Sequence, residues 1–227
     1  MYQKMKIKNT DLFDNIPTEL FSIFDTSEYP FEVLVKLRDA LEEIIKNPSA
    51  GFTLYKDGVL IGKGVTIEEG ATILPPTVIC NSATIRQGAY IRGSVFIGEG
   101  AIVGHCTEIK NAILMASAEA PHFNYVGDSI LGAHAHIGAG VILSNLKADK
   151  SPVTIKGTTS LSTNMRKLGA ILGDGAEIGC NAVLNPGSVI GKCSSIYPLV
   201  SWRGVLPDGC IAKAADNITR KNNFHKK

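Results

Sequence analysis

Four of the five histidines, the side chains able to move a proton at neutral pH, are gathered in one part of the chain, at His105, His122, His134 and His136. An imidazole with an ordinary pKa near 6.5 accepts a proton at pH 7, and an amine must lose one before it can attack a carbonyl carbon. His122 lies where a regular pattern is interrupted by PHFNYVGD, and Lys150 lies in a second, polar interruption, SNLKADKSP, from Ser144 to Pro152. Segments expelled from a regular scaffold are free to carry chemistry while the scaffold holds geometry. A Gly-rich corner such as Gly138-Ala139-Gly140 can present backbone N–H donors to an oxyanion, and Arg and Lys supply charge for a phosphate. The imidazoles also admit a different chemistry, three histidines on zinc. His134 and His136, two apart, would project from the same face of a strand.

The element that must position these groups is a repeat. From Ile61 to Ala120 an aliphatic residue recurs at every sixth position, at Ile61, Ile67, Ile73, Ile79, Ile85, Ile91, Ile97, Val103, Ile109 and Met115. Four residues after most anchors stands a small or β-branched residue, as at Val65, Ala71, Thr77, Ala83, Ala89, Val95, Ala101 and Thr107. Neither a 3.6-residue helix nor a two-sided strand has that period. A period of six belongs to the hexapeptide β-helix: an all-β parallel coil with three flat sides, anchors inward, and successive coils stacked at roughly 4.8 Å. The pattern breaks at Pro121, resumes out of phase at Leu131, Ile137 and Leu143, weakens over Thr154 to Leu168, and returns at Leu172, Ile178, Leu184, Ile190 and Ile196.

Residues 1–50 follow a different grammar. Phe31, Leu34, Val35, Leu41, Ile44 and Ile45 have helical spacing between Pro30 and Pro48, and a shorter helix is predicted over Thr18 to Phe24. Two such helices are too small for a core of their own and are expected to cap the open first coil. The predicted organisation is a short N-terminal helical cap over 1–50, a β-helix over 51–201, and a closing segment with a basic tail over 202–227. Residues from Lys213 onward are expected to form a short helix or a mobile tail.

Composition excludes several classes. The five cysteines are odd in number and lack CxxC spacing, which signals neither a disulfide framework nor a zinc knuckle. A net charge of +2 with well-mixed signs gives no reason to expect nucleic acid as a partner. No apolar run approaches the roughly 18 to 20 residues that span a bilayer, and the N-terminus lacks the apolar region of a signal peptide. The expectation is a cytoplasmic protein with no membrane partner.

The run EIKNAILMASAEAPHFNYVGDSILGAHAHIGAG, from Glu108 to Gly140, resembles the acetyltransferase half of bacterial bifunctional glucosamine-1-phosphate acetyltransferase/N-acetylglucosamine-1-phosphate uridyltransferases. It is more similar still to the C-terminal half of archaeal sugar-1-phosphate nucleotidylyltransferases, whose KLGAILGD-type run is echoed at Lys167 to Asp174. The resemblance covers roughly Ile61 to Val200, and its specific mark is H-x-x-Y-x-G-D at His122. It implies a left-handed parallel β-helix, a homotrimer, acetyl-CoA as acetyl donor, and an amino-sugar phosphate or nucleotide-linked amino sugar as acceptor. Carried over residue by residue, it makes His122 the general base, with Tyr125 beside it and Lys110 facing the sugar phosphate. The phosphate-binding arginine falls on Arg86 by local motif or on Arg92 by stacking one coil from Lys110. Asn145 matches an asparagine after the G-A-G run, and the backbone at Gly138, Ala139 and Gly140 would line the coenzyme A groove.

Two departures bear on the acceptor. His136 stands where the family commonly has asparagine, and Ser151 and Thr154 stand where it has lysines, with Lys147, Lys150 and Lys156 nearby but out of register. The fifty N-terminal residues hold no Gly-rich phosphate loop, and a nucleotidylyltransferase half is not expected. The competing readings are a non-catalytic module for oligomerisation or sugar-nucleotide binding, and a γ-type carbonic anhydrase, whose H-x4-H pair this chain does not match. No metal is expected on the favoured reading.

Overall fold

The computed structural model describes residues 7–221. Short parallel strands stack in three columns, one per side of a β-helix. The first side runs through Thr66–Ile67, Thr84–Ile85, Ile102–His105, Glu119–His122, His136–Ile137, Glu177–Ile178, Ser195–Ile196 and Cys210–Ala214. The second runs through Thr72–Ile73, Tyr90–Ile91, Ile142–Leu143, Val183–Leu184 and Ser201–Trp202, and the third through Val59–Ile61, Thr77–Ile79, Val95–Ile97, Ala170–Leu172, Ser188–Ile190 and Val205–Leu206. Two longer strands, Glu108–Leu114 and Tyr125–Leu131, bend across the corner and belong to both.

The expected all-β parallel coil is therefore present, and its anchors fill it. Ile73, Ile79, Ile85, Ile91, Ile97, Val103 and Ile109 are buried in one continuous core, with the small residues Ala83, Ala89 and Ala101 between them. Fully burying each such aliphatic side chain is worth about 1.5–3 kcal/mol, and six-residue spacing returns every one of them to the interior.

The phase of the repeat is corrected in two places. Leu114, not Met115, lies opposite Ile97. The step from Ile109 to the next inward anchor is thus five residues, and Met115 turns outward into a second apolar cluster. The same shortening recurs one coil later between Val126 and Leu131. At each short corner a single residue makes the turn in the left-handed region, Asn111 with φ 46° and Asp128 with φ 48°. Asn and Asp are the non-glycine residues that tolerate that conformation best. Pro121 expels no loop: Ala120 and Val126 are six apart, and His122 pairs across the ladder with His105. The change of phase belongs to the two corners at Asn111 and Asp128.

The helical segment is displaced from its expected place. The helices Phe21–Asp25 and Pro30–Lys46 lie along the outside of the third side and do not close the first coil. Val33, Leu34, Leu37 and Leu41 pack on Leu60, Val78, Phe96, Ile113 and Ile130, the outward residues of successive third-side strands. The physical reason is apolar area: a stacked row of outward Val, Ile and Phe buries more against a long amphipathic helix than one end coil would. Below the helix, the excursion after Leu143 folds back as an antiparallel hairpin, Thr154–Lys156 with Ser160–Ser162. Val153, Ile155 and Leu168 cover Ile171 and Val189. The N-terminal segment also straps the coils: Asp174 N–H donates to Leu12 O at 3.0 Å, Asp14 N–H donates to the Asp174 carboxylate at 2.7 Å, and Lys192 Nζ meets Asp14 at 2.5 Å.

The coil also continues beyond Val200. Ser201–Trp202, Val205–Leu206 and Cys210–Ala214 each extend one of the three sides, and Asn217–Arg220 pairs antiparallel on Cys210–Ala214 where a helix or mobile tail was expected. The basic residues at 222–227 lie outside the described residues.

Phe96 tests the covering of the third side. Phe96→Ala is expected to lower unfolding free energy by about 3–5 kcal/mol, while Thr72→Ala, at an exposed position on the second side, should change it by less than about 0.5 kcal/mol. Urea unfolding followed by circular dichroism measures both.

Candidate functional site

The corner between the second and third sides concentrates polar side chains around one buried carboxylate. Asp128 is 4% exposed. It accepts from Asn111 Nδ2 at 2.9 Å and from Asn145 Nδ2 at 2.5 Å, and Lys110 Nζ lies 3.3 Å from both of its oxygens. The short corner produces the cluster, because losing one residue brings Lys110, Asn111 and Asp128 onto adjacent rungs. Gly127 leaves room for this arrangement: a Cβ would sit 2.6 Å from the Tyr125 hydroxyl and 2.7 Å from Asn145 Nδ2, and both side chains would have to shift. The Asn145 amide also donates to the Tyr125 hydroxyl at 3.2 Å. Burial pushes the Tyr125 phenol above its ordinary range, and the hydrogen bond from Asn145 opposes that shift.

Along the second side, Tyr90, Glu108 and Tyr125 occupy one row of the stack. Arg92 and Lys110 occupy successive rungs just beyond it, the Arg92 N–H donating to Ile109 O at 2.8 Å. Arg92 ion-pairs with Glu108 at 2.7 Å and lies 6.0 Å from the centre of the Tyr90 ring. The hydrogen bond with Glu108 holds its guanidinium pKa above the usual value. Both cations on this side are thus matched by carboxylates, but unequally. The Arg92–Glu108 pair is 41% and 36% exposed, whereas the carboxylate facing Lys110 is 6% exposed. An exposed pair contributes about 0–1 kcal/mol, so Arg92 is released to an incoming anion more cheaply than Lys110.

His122 belongs to a different corner, between the first and second sides. It ends Glu119–His122 with its side chain exposed. Its backbone is clamped: the His122 N–H donates to Asn124 Oδ1 at 3.0 Å, and His122 O accepts from Gly140 N–H at 3.0 Å. Asn124, itself buried, donates from Nδ2 to Gly138 O at 2.7 Å. Gly138 N–H donates to Ile178 O at 2.7 Å. Two of the three amides in Gly138-Ala139-Gly140 are therefore engaged in the coil, and the Ala139 N–H has no partner among the described hydrogen bonds. Ala139 follows His122 in the column that stacks His105, His122 and Ala139.

Of the residues singled out in the sequence, Lys110, Tyr125 and Asn145 come together around Asp128, and His122 joins Gly138, Ala139 and Gly140 at the neighbouring corner. Three others stand apart. Arg86 follows Thr84–Ile85 on the first side, around a corner from Arg92. His136 lies on the first side with Nδ1 3.0 Å from Glu177. Lys150 is exposed on the excursion, with φ 56°. Lys147 bonds Ser151 Oγ and lies 3.5 Å from Asp149. His134 turns a corner with φ 57°, so it and His136 do not share a strand face. Among the described residues no group of three His, Cys, Asp or Glu side chains is placed to hold a metal ion. Among the described residues, too, no helix is long and apolar enough to cross a membrane.

Sequence reasoning missed Asp128, Asn111 and Asn124. Asp128 was within reach as the last letter of H-x-x-Y-x-G-D, and the five-residue step beside it marks a corner that only a left-handed residue can turn.

A family model described as the GMPPB C-terminal domain matches residues 73–167. The chain is 38% identical over 129 residues to the bifunctional protein GlmU of Methanococcus vannielii, covering 55% of this chain and 30% of that protein. It is 37% identical over 98 residues to a bifunctional sugar-1-phosphate nucleotidylyltransferase/acetyltransferase of Sulfurisphaera tokodaii, covering 42% of this chain and 24% of that one. It thus spans less than a third of the length of either relative. Among solved structures, a hexapeptide transferase family protein from Anaplasma phagocytophilum aligns over 72% of this chain and 80% of its own, with TM-score 0.42 and 17% identity. The resemblance to bifunctional nucleotidylyltransferase/acetyltransferases holds over the repeat, and the repeat is the part of them this chain shares.

Removing the Asp128 carboxylate strands the donors of Lys110, Asn111 and Asn145. Asp128→Ala is expected to cost about 3 kcal/mol of stability, while Asp128→Asn keeps a carbonyl oxygen and a residue suited to the corner and should cost about 1 kcal/mol. Equal stability of the two variants in chemical denaturation would show that the cluster does not fasten the corner.

Proposed function

We propose that the chain is an acetyltransferase that moves an acetyl group from acetyl-CoA to the amine of an amino-sugar phosphate of the glucosamine-1-phosphate kind, or of a nucleotide-linked amino sugar. The observation that carries the reading is the corner where an exposed imidazole, His122, stands one rung from Ala139, whose N–H has no partner among the described hydrogen bonds. His122 acts as general base on the acceptor amine. The nitrogen attacks the thioester carbon, and the oxyanion that forms takes a hydrogen bond from the Ala139 amide. Collapse expels the coenzyme A thiolate, which takes up a proton. The names of the two relatives, both bifunctional and one an acetyltransferase outright, support the reaction class.

The acceptor lies along the second side in this reading. Tyr125 shapes its site, Asn145 holds the Tyr125 hydroxyl, and Arg92 is the first cation offered to a phosphate because its partner Glu108 is exposed. Lys110 contributes less charge than its type suggests, since Asp128 neutralises it. Glucosamine-1-phosphate is accordingly a poor acceptor unless Lys147 or Lys150 swings in from the excursion. If the double variant Lys147→Ala, Lys150→Ala retains full turnover on that substrate, this account of the acceptor end is wrong.

The assembly that suits the site is a homotrimer. Phe123 and Leu199, 58% and 78% exposed, project from the corner between the first and second sides, and a three-sided prism packs about a threefold axis so that each site lies between two chains. A monomer in sedimentation velocity at micromolar concentration would sink the shared-site arrangement.

His122→Ala tests the base directly. Acetyl transfer, followed by release of the coenzyme A thiol, is expected to fall by about 10²- to 10⁴-fold with little change in thermal midpoint, because the exposed ring packs on no anchor. Tight acetyl-CoA binding by calorimetry with no turnover on any amino sugar would favour a non-catalytic binding module.

A further inference from the structure

The corner that carries His122 is closed differently from the others between the first and second sides. On neighbouring coils the turn ends at Ala89, Thr107, Val141 or Ala182, whose N–H donates to the carbonyl oxygen three residues back at 3.1 to 3.4 Å. In the His122 coil that place is taken by Asn124, and the corresponding bond to Pro121 O is not among the described hydrogen bonds. The Asn124 N–H donates instead to Thr107 Oγ1 at 3.3 Å. The Pro121 carbonyl is turned against the coil before, at Gly104, where a Cβ would collide with it. At the other end of that peptide, the His122 N–H donates to Asn124 Oδ1 at 3.0 Å.

Asn124 is 3% exposed, while Ala89, Val141 and Ala182 at the same place on other coils belong to the apolar core. A buried carboxamide is costly unless its atoms are paired, and the apolar corners show that the coil turns without one. Here both ends of the amide are paired with main chain. Oδ1 takes the His122 N–H, and Nδ2 donates to Gly138 O at 2.7 Å, closer than the 3.4 Å turn bond from Val141 to the same oxygen. Gly138 O and the Ala139 N–H belong to one peptide unit. That unit is trans and planar, so its N–H points opposite to its carbonyl. Holding the oxygen on a buried side chain therefore aims the Ala139 N–H away from the core, and Gly138 is buried while Ala139 is partly exposed. A hydrogen bond at the carbonyl end also polarises the peptide and strengthens its N–H as a donor.

We propose that Asn124 is a positioning residue that holds the proton acceptor and the oxyanion donor at a fixed spacing: one buried amide fastens both the peptide that leads into His122 and the peptide that ends in the Ala139 N–H. The inference rests on the acetyl-transfer reading of this corner. Asn124 touches neither acyl donor nor acceptor and moves no proton. In the tetrahedral intermediate the oxygen that meets the Ala139 N–H and the nitrogen that gives its proton to His122 are bonded to the same carbon. The separation of imidazole and N–H must match that geometry, and two peptides tied to one side chain cannot drift apart. A misplacement of about 1 Å costs about 10²-fold in rate.

Two variants separate the bonds. Asn124→Asp keeps an oxygen for the His122 N–H and loses the donor to Gly138 O, whereas Asn124→Val copies the corner at Val141 and loses both. Each is compared with the unaltered full chain in acetyl transfer to glucosamine-1-phosphate, in acetyl-CoA affinity by calorimetry, and in the infrared carbonyl band of bound acetyl-CoA isotope-labelled at the acetyl carbonyl. The expected result is kcat lower by about 10- to 10²-fold in Asn124→Asp and lower still in Asn124→Val, with acetyl-CoA affinity and acceptor KM little changed. The bound carbonyl band should move to higher frequency in both variants as its bond to the Ala139 N–H weakens. Ordinary loosening of the coil would lower affinity and thermal midpoint together and leave the band of the bound fraction in place. The proposal is overturned, with the acetyltransferase reading intact, if kcat and the band are unchanged in both variants, or if turnover falls only in step with acetyl-CoA affinity while the band stays. If the unaltered chain binds acetyl-CoA without acetylating the sugar, a band that moves supports the aiming of the Ala139 N–H by Asn124 and a band that stays overturns it. No binding of acetyl-CoA to the unaltered chain would overturn both readings.

Discussion

The backbone ladder between successive coils is the constraint on which the other features depend. Each strand hydrogen-bonds to the strand one coil away, so a residue's neighbours are set by coil length, and any change of length must be absorbed at a corner. This chain shortens the same corner twice in succession, at Asn111 and Asp128. The two shortened turns lie one above the other, and the polar cluster of Lys110, Asn111, Asp128 and Asn145 occupies that stack. Had only the later coil been shortened, the Asp128 carboxylate would have faced a wider turn of the kind at Gly93 and Ser94. The register that keeps aliphatic anchors inside is also the device that stacks His105, His122 and Ala139 in one column.

Electrostatics on the second side follow from the same stacking. Rungs one coil apart place Glu108 beside Arg92 and Asp128 beside Lys110, and each cation finds a carboxylate before any ligand arrives. Burial separates the two pairs. Asp128, nearly sealed from water and held by two amides, is part of the frame, whereas Glu108 can turn into solvent at little cost. A row that looks in the sequence like a surplus of positive charge is therefore almost neutral as folded, with one cation that can be uncovered.

Much of the fold was legible because six-residue spacing has only one structural meaning. The phase slip was hidden because Leu114 and Met115 are adjacent and both apolar, so the count of six continues through Met115 while the coil has already stepped to Leu114. Amphipathic spacing identified the helix from Pro30 but not its seat, since a hydrophobic face states that it will be buried and not against what. The seat was written elsewhere, in the outward residues Val78, Phe96, Ile113, Ile130, Ile171 and Val189, one per coil. Arg86 and Arg92 are equally placed relative to their anchors, each one residue after it, and only the three-sided geometry tells which shares a side with Lys110. At the site, the motif around His122 and the asparagine at 145 were readable, while Asp128 and Asn111, which meet Asn145 from separate coils, were not.

The strap formed by the N-terminal segment changes how such a rod comes apart. A stack of coils in which each touches only its neighbours can fray from either end, one rung at a time. Here Leu12 and Asp14 are tied to Asp174 and Lys192, while the helix that follows them in sequence lies on strands from Thr77 to Leu131. Peeling the last coils pulls on a segment anchored near the first ones, and lifting the helix loosens both. The rod is laced along one side, and its rungs melt as a group rather than in sequence.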